Sequence, residues 1–311
     1  MNWDEYQQAV QAGGFKAAEK AEILQGIGYL RNYLGEDCPE PQWLKYQREQ
    51  GKLEGKFPRW ALFRAAQIGD TLHQLEAISG FRKLLKRLRQ PEEYAAAEAE
   101  VEVAGRLQRL GLPIELQPRV GNGKADIKLL SDPQPIYFEV TTLLASGEER
   151  LFWLTLSKAA AASGLQPGEM APLNSLPTKG RLMDSSADIE RRVCEKIQEK
   201  MDHSKQLPPN SPGIIVISGS HFNSLGRPES ALNFACKISD TVFSFPSLVF
   251  VLLTWFSTTK MLPAEETVDD CRYFRKHRNE MEWELVAIKN VHSKFSLGKF
   301  EDELIPALAE P

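Results

Sequence analysis

The sequence predicts an α/β protein in which a mixed central sheet is flanked by helices and preceded by a helical N-terminal region. Residues 1–90 carry apolar side chains at helical spacing and show no strand-like alternation. Residues 91–296 alternate between helix and strand patterns, and the two apolar runs at 213–219 and 247–256 are typical of central strands covered on both faces. A strand, a crossover helix and another strand form the βαβ pattern that gives parallel pairing.

The composition is that of an ordinary soluble globular protein. Of the 311 residues, 42% are apolar and 26% are charged, and the formal net charge is −4. Attraction to a phosphate backbone must therefore come from local patches. The four cysteines lie far apart, without the CxxC spacing of a zinc or redox site. We expect a cytoplasmic protein with no membrane partner, because the N-terminus lacks a signal-like apolar segment and no apolar run reaches membrane-helix length.

The chain divides into the helical region 1–90, the α/β core 91–296 and an acidic tail 297–311 that we expect to be loose. The core is interrupted at about 145–185 by a long irregular insertion. The predicted helices are 3–11, 15–34, 59–68, 71–89, 92–110, 186–205 and 229–240, and the predicted strands are 114–120, 124–130, 136–143, 213–219, 247–256 and 282–289.

The predicted helix 71–89 is basic and amphipathic. An apolar stripe runs along one side, and the other side is crowded by the cations Arg82, Lys83, Lys86, Arg87 and Arg89. Such a face fits phosphate contacts, a membrane surface or a partner groove, and it also fits a simple solvated face balanced by acidic residues just downstream.

Two carboxylates are expected to meet at one edge of the sheet. Side chains alternate along a strand, so Phe138 and Val140 point into the core and Glu139 lies on the opposite face. If this strand forms a hairpin with the preceding one, Asp126 becomes a cross-strand neighbour of Glu139. Adjacent carboxylates repel each other, and a bound divalent cation is the commonest reason for such a pair.

The order of these residues resembles a known family. A helical glutamate (Glu100, with Glu98 and Glu102 as alternatives) is followed by a glycine turn and a strand, then by Asp126 on a second strand and Glu139 on a third. In the order of these elements the sequence resembles the PD-(D/E)xK, or restriction-endonuclease-like, nuclease superfamily. The resemblance covers roughly residues 91–219. It implies a restriction-endonuclease-like core at the centre of the α/β fold.

The resemblance also implies a function, that of a Mg²⁺-dependent (or Mn²⁺-dependent) endonuclease whose partner is nucleic acid, with DNA as the first expectation. Asp126 and Glu139 match the family's metal-binding acids, and the backbone carbonyl of Val140 would be a further ligand. Glu100 would either support the ligands of the first metal ion without binding it or bind a second metal ion. Mg²⁺ prefers such hard oxygen ligands.

This chain departs from the family pattern at two positions. Ala125 stands where proline is usual, and Thr141 stands where the family has its lysine. A lysine could come from elsewhere, and the candidates are Lys200, Lys196, Lys124 and Lys128.

Without a relocated lysine, the metal alone could serve the reaction. Alternatively, the protein is an inactive nuclease-fold module that binds nucleic acid or a protein partner. A third alternative is an unrelated α/β enzyme in which the acidic residues have no shared role.

Overall fold

The fold is taken from a computed structural model, which describes residues 3–36, 44, 57–121, 123–143, 186–202, 206–219, 227–257, 261–278 and 281–310. The predicted insertion at about 145–185 lies outside the described residues. The helices are α1 (Trp3–Ala12), α2 (Ala17–Leu34), α3 (Arg59–Leu75), α4 (Phe81–Leu88), α5 (Tyr94–Arg109), α6 (Ser186–Asp202), α7 (Pro228–Phe243) and α8 (Phe300–Leu308). The strands are β1 (Ile114–Leu116), β2 (Arg119–Val120), β3 (Gly123–Lys124), β4 (Ile127–Leu129), β5 (Ile136–Thr142), β6 (Gly213–Ser218), β7 (Leu248–Ser257), β8 (Ala264–Val268), β9 (Cys271–Arg278) and β10 (Met281–Lys289).

Most of these strands form one mixed sheet in the order β1-β4-β5-β6-β7-β10-β9-β8, and β2 pairs with β3 in a separate short hairpin. The central strands β5, β6 and β7 are parallel, and the strands on either side of them pair antiparallel. Helix α6 lies between β5 and β6 in sequence, and α7 lies between β6 and β7. The predicted βαβ pattern and the α/β class with a mixed, helix-flanked sheet are therefore confirmed.

The sheet separates two apolar cores. On one face Phe138 and Val140 pack with the N-terminal helices, α5 and α8. On the other face Ile215 and Ile217 pack with α6 and α7. The predicted alternation along β5 is confirmed, because Glu139 lies between two side chains that both belong to the first core. Burial of apolar area on both faces is the main driving force for this arrangement.

The N-terminal helices α2 and α3 approach each other closely at two glycines. A Cβ atom on Gly69 would lie 1.9 Å from the carbonyl oxygen of Gly26, so only glycine fits there. The predicted helix boundary at 69–70 is wrong, because α3 continues to Leu75. The chain instead breaks before α4, where Gly80 adopts a left-handed φ of 90° that favours glycine.

Several other boundaries differ from the sequence prediction. Predicted strand 114–120 is divided at Gln117, whose φ is 52°. Predicted strand 124–130 is divided into β3 and β4 at Ala125 and Asp126. Strands β8 and β9 were not predicted, because their sequences carry many charged residues. The tail is acidic but not loose, since it forms α8.

Helix α8 is held by apolar contacts rather than left in solvent. Leu304, Ile305 and Leu308 are buried against the core beneath α5.

Among the described residues, no helix is both long and apolar enough to cross a membrane. Within the same part of the chain, Cys194, Cys236 and Cys271 are free thiols.

Candidate functional site

Asp126 and Glu139 are brought together by the hairpin of β4 and β5. The register pairs Ile127 with Phe138, so Asp126, one residue before β4, lies opposite Glu139. The backbone N–H of Asp126 donates to the carbonyl of Phe138 at 3.2 Å, which extends the pairing to this position. The predicted cross-strand relationship is confirmed.

The Asp126 side chain is held by two hydrogen bonds. Its Oδ2 accepts from the backbone N–H of Val140 at 2.8 Å, and its Oδ1 accepts from Gln117 Nε2 at 3.3 Å. The carboxylate is only 8% exposed. These contacts fix its direction towards β5. They involve the N–H of Val140, and metal ligation by the Val140 carbonyl stays a prediction.

Glu139 is fully buried, and one of its two carboxylate oxygens has no donor. Its Oε2 accepts a hydrogen bond from Lys200 Nζ at 2.9 Å, whereas Oε1 forms a hydrogen bond with Asp126 when a proton is shared between the two carboxyl groups. Lys200 comes from α6, and its Nζ also lies 3.3 Å from Gln206 Oε1. An unsatisfied buried oxygen costs free energy, so its retention calls for an explanation.

Lys200 is the predicted lysine that reaches the acidic pair. Lys196 on the same helix pairs instead with Glu199 at 2.8 Å. Lys128 lies 3.8 Å from Glu115 on the neighbouring strand. Lys124 is exposed on β3. Of the four lysine candidates, Lys200 is the one whose ammonium group contacts Glu139 in the described part of the chain.

Glu100 is the α5 glutamate that lies at the site. It is fully buried, with Oε1 accepting from Arg87 Nη1 and Oε2 accepting from Gln117 Nε2 at 2.7 Å. Its rivals Glu98 and Glu102 belong to a different cluster. Their carboxylates lie 2.8 Å and 2.6 Å from Arg64 Nη2.

Arg87 and Gln117 were not predicted as site residues. Arg87 Nη1 lies 3.7 Å from Asp126 Oδ1, and Arg87 Nε donates to Glu93 at 2.7 Å. In the sequence Arg87 is one of five cations on a basic helix, with nothing to distinguish it. Gln117 is neutral and occupies a break between strands, so no charge pattern or periodicity could have identified it.

Burial and mutual repulsion shift the charges of this cluster. Burial, followed by the nearby charge of Asp126, raises the pKa of Glu139 to about 9 against the opposing effect of Lys200. The same two causes raise the pKa of Glu100 to about 8, opposed by Arg87 and Gln117. Burial alone would lower the pKa of Lys200, but Glu139 and Asp126 outweigh it and leave the pKa above its ordinary value.

Three buried carboxylates thus face two cations, Lys200 and Arg87, and Arg87 is shared with Glu93, so full ionisation would leave at least one uncompensated negative charge. A proton or a divalent cation can supply the missing positive charge. The donors are hard oxygens, and Oε1 of Glu139, which has no hydrogen-bond donor, lies beside Asp126 in the pairing register. This donor set fits Mg²⁺ or Mn²⁺.

The direct ligands would be Asp126 and Glu139, because Oε1 of Glu139 has no donor and Asp126 lies opposite it, whereas Glu100 is ion-paired with Arg87. Accordingly, no group of three or more His, Cys, Asp or Glu side chains among the described residues is placed to hold a metal ion together. Two carboxylates are enough for Mg²⁺, which keeps several of its waters.

In comparisons with known proteins, no family model, no curated protein and no solved structure matches this chain.

Proposed function

We propose that this protein is a metal-dependent nuclease with a restriction-endonuclease-like core. The observation that carries the proposal is the triad of Asp126, Glu139 and Lys200. Two strand carboxylates that meet across a hairpin are joined by an ammonium group 2.9 Å from Glu139. The ammonium group is thus available even though Thr141 replaces the lysine of the family pattern.

Phosphodiester hydrolysis needs an activated water, neutralised charge on the phosphoryl oxygens and a stabilised leaving oxygen. A bound Mg²⁺ supplies acidity to a coordinated water and offsets phosphoryl charge. Asp126 and Glu139 would hold it. The Val140 N–H and Gln117 orient Asp126, and Lys200 adds a fixed positive charge at the edge of the cluster. Because Glu139 is fully buried, these charges act in a medium where they are weakly screened.

The basic helix α4 gives the proposal a surface for the substrate. Arg82, Lys83 and Lys86 are exposed on this helix, and Arg87 extends from the same helix to Glu100. A nucleic-acid backbone bound along α4 would therefore lie next to the acidic cluster. In a chain of net charge −4, this local patch is the kind of feature that attracts phosphates.

A second candidate function is nucleic-acid binding without cleavage. It is favoured by the contacts of Glu100, whose oxygens are both occupied by the protein's own Arg87 and Gln117. A cluster closed by its own guanidinium could be a structural element beneath the α4 surface. The two candidates share the surface and differ only in the role of the acids.

The experiment is cleavage of duplex DNA, single-stranded DNA and RNA by the full chain with Mg²⁺, Mn²⁺ or EDTA. We expect metal-dependent cutting that falls by about 100-fold or more in Asp126→Asn, Glu139→Gln and Lys200→Met. Lys196→Met is the matched control, because Lys196 lies on the same helix and forms an ion pair with the exposed Glu199.

Equal cutting by wild type and all the variants would identify a contaminant and contradict the proposal. Binding in a gel-shift assay without cutting, weakened when the exposed α4 cations are neutralised, would instead support the second candidate. A chain that neither cuts nor binds any of these nucleic acids would refute both.

A further inference from the structure

A cavity of about 370 Å³ lies away from the acidic cluster, between α2, α3 and the end of the sheet formed by β9 and β10. Its volume is in the range of small-molecule sites. Most of its lining is polar, including Glu22, Gln67, Asp70, Arg109 and Arg278. None of the acids or cations of the candidate nuclease site contributes to this lining.

A second cavity has a volume of about 10 Å³, which is room for about one water molecule. Its lining shares Gln67, Thr71 and Arg109 with the lining of the larger cavity. Its wall includes Arg106, which is 4% exposed, and Trp283. Among the described residues the guanidinium of Arg106 has no hydrogen bond or ion pair, and it lies over the ring of Trp283 at 4.7 Å.

The small cavity is rich in donors. The indole Nε1 of Trp283 is buried without a hydrogen bond, and Arg106 and Arg109 bring two guanidinium groups. Glu102 also lines the space, and its Oε1 lies 2.6 Å from Arg64 Nη2 but is buried without a hydrogen bond, so the lining contains one carboxylate beside the two guanidinium groups. Burial lowers the pKa of Arg106 to about 10 against the effect of Glu102, and Arg109 lowers it further. An anionic oxygen would satisfy these donors and relieve the repulsion between the arginines.

The side of the large cavity formed by α2 and α3 has a different chemistry. Tyr29 and His73 stack on each other, with ring centroids 4.0 Å apart and planes 13° apart. Next to them Asp70 is half-buried beside Glu22. An aromatic pair next to carboxylates is suited to a flat heterocycle whose N–H groups can donate hydrogen bonds.

We propose that this cavity binds a nucleoside phosphate of mononucleotide size. Its phosphate would lie at Arg109, with one oxygen entering the adjoining small cavity towards Arg106, and its base would lie near Tyr29, His73 and Asp70. The site is separate from the nuclease function proposed above and does not depend on it. The two are linked by α5, which carries Glu100 and, nine residues later, Arg109. That separation is about 13 Å along the helix axis.

The test is titration calorimetry of the full chain in EDTA with the four ribonucleoside 5′-monophosphates, the matching nucleosides and inorganic phosphate. We expect at least one monophosphate to bind more tightly than its nucleoside and than phosphate. Arg109→Gln should weaken that binding about tenfold or more, as loss of a charge-assisted hydrogen bond does. Asp70→Asn should weaken the binding of the nucleotide and leave the binding of inorganic phosphate unchanged.

Arg191→Gln is the control, because Arg191 is exposed on α6 and pairs with Glu195 at 2.6 Å. Asp126→Asn should bind the nucleotide as wild type does, which separates this site from the acidic cluster. The proposal is overturned if no monophosphate binds, if phosphate alone binds as tightly, or if Arg109→Gln binds as well as the wild type. Thermal unfolding of each variant verifies that it is folded.

Discussion

The substitution Glu139→Gln should make the metal-free protein more stable at neutral and alkaline pH while removing the proposed activity. Glu139 is fully buried, and its pKa is raised from 4.5 to about 9. In the unfolded chain it ionises near its ordinary pKa. Between these two values the folded protein retains a proton that the unfolded chain has lost. The unfolding free energy of the wild type therefore falls as pH rises through this window.

Because the two states differ by one bound proton, the unfolding free energy of the wild type falls by about 1.4 kcal/mol for each pH unit. Glutamine has the shape of the protonated acid, and it keeps an oxygen for Lys200 and adds N–H groups on the side of Asp126. The variant therefore does not lose stability through the titration of this side chain as pH rises. Its stability advantage over the wild type should grow by about 3 kcal/mol between pH 6 and pH 8.

Urea unfolding in EDTA at several pH values measures this difference. Glu100 titrates in both proteins, so the difference between the two curves, rather than either curve alone, reports the titration of Glu139. Glu195→Gln is the matched control, because Glu195 is exposed on the same helix as Lys200 and lies 2.6 Å from Arg191 in a surface ion pair. If the curves of wild type and Glu139→Gln run parallel from pH 5 to pH 9, Glu139 is ionised in the folded protein and the reasoning fails.

Three further predictions concern packing and charge elsewhere in the fold. Gly69→Ala should lower the unfolding free energy by about 1–3 kcal/mol or more, because its Cβ would overlap the facing helix backbone. The control Gly28→Ala places its Cβ in open space and should raise the unfolding free energy by up to about 1 kcal/mol. Equal denaturation midpoints for the two variants would contradict the prediction. Ile305→Ala should cost about 2–5 kcal/mol because its side chain is fully buried, whereas a change near zero would mean that α8 is not docked. Arg87→Gln should lower stability in denaturant by about 3 kcal/mol at pH 9, where Glu100 is ionised and is left without its cation, and by less at pH 6. The exposed Arg82→Gln on the same helix should change little, and similar losses in both would argue against the Glu100 contact.

The part of the site that local patterning determines could be predicted from the sequence. The alternation along β5 places Phe138 and Val140 in the core and turns Glu139 away from them. A short connection to the preceding strand leaves few possible registers, so Asp126 was expected opposite Glu139. These relationships depend on backbone geometry over a few residues, which is why the sequence contains them.

The contacts that depend on distant packing could not be predicted. Arg87 is 13 residues from Glu100, and only the angle between α4 and α5 brings them together. Lys200 is 61 residues from Glu139 and was one of four candidates. Strand β9 was missed because Arg275 is buried in an ion pair with Glu284 at 3.2 Å, so its sequence does not show the apolar alternation of a strand.

The position of Lys200 on α6 has a consequence for how the site is assembled. The nascent chain acquires both acids with β4 and β5, but the ammonium group that contacts Glu139 belongs to a helix made later. A fragment ending after β5 would contain Arg87 beside Asp126 and Glu100 but would lack the cation of Glu139. Completion of the charged centre therefore depends on the docking of α6 against the sheet, and chemistry at the acids would follow that step.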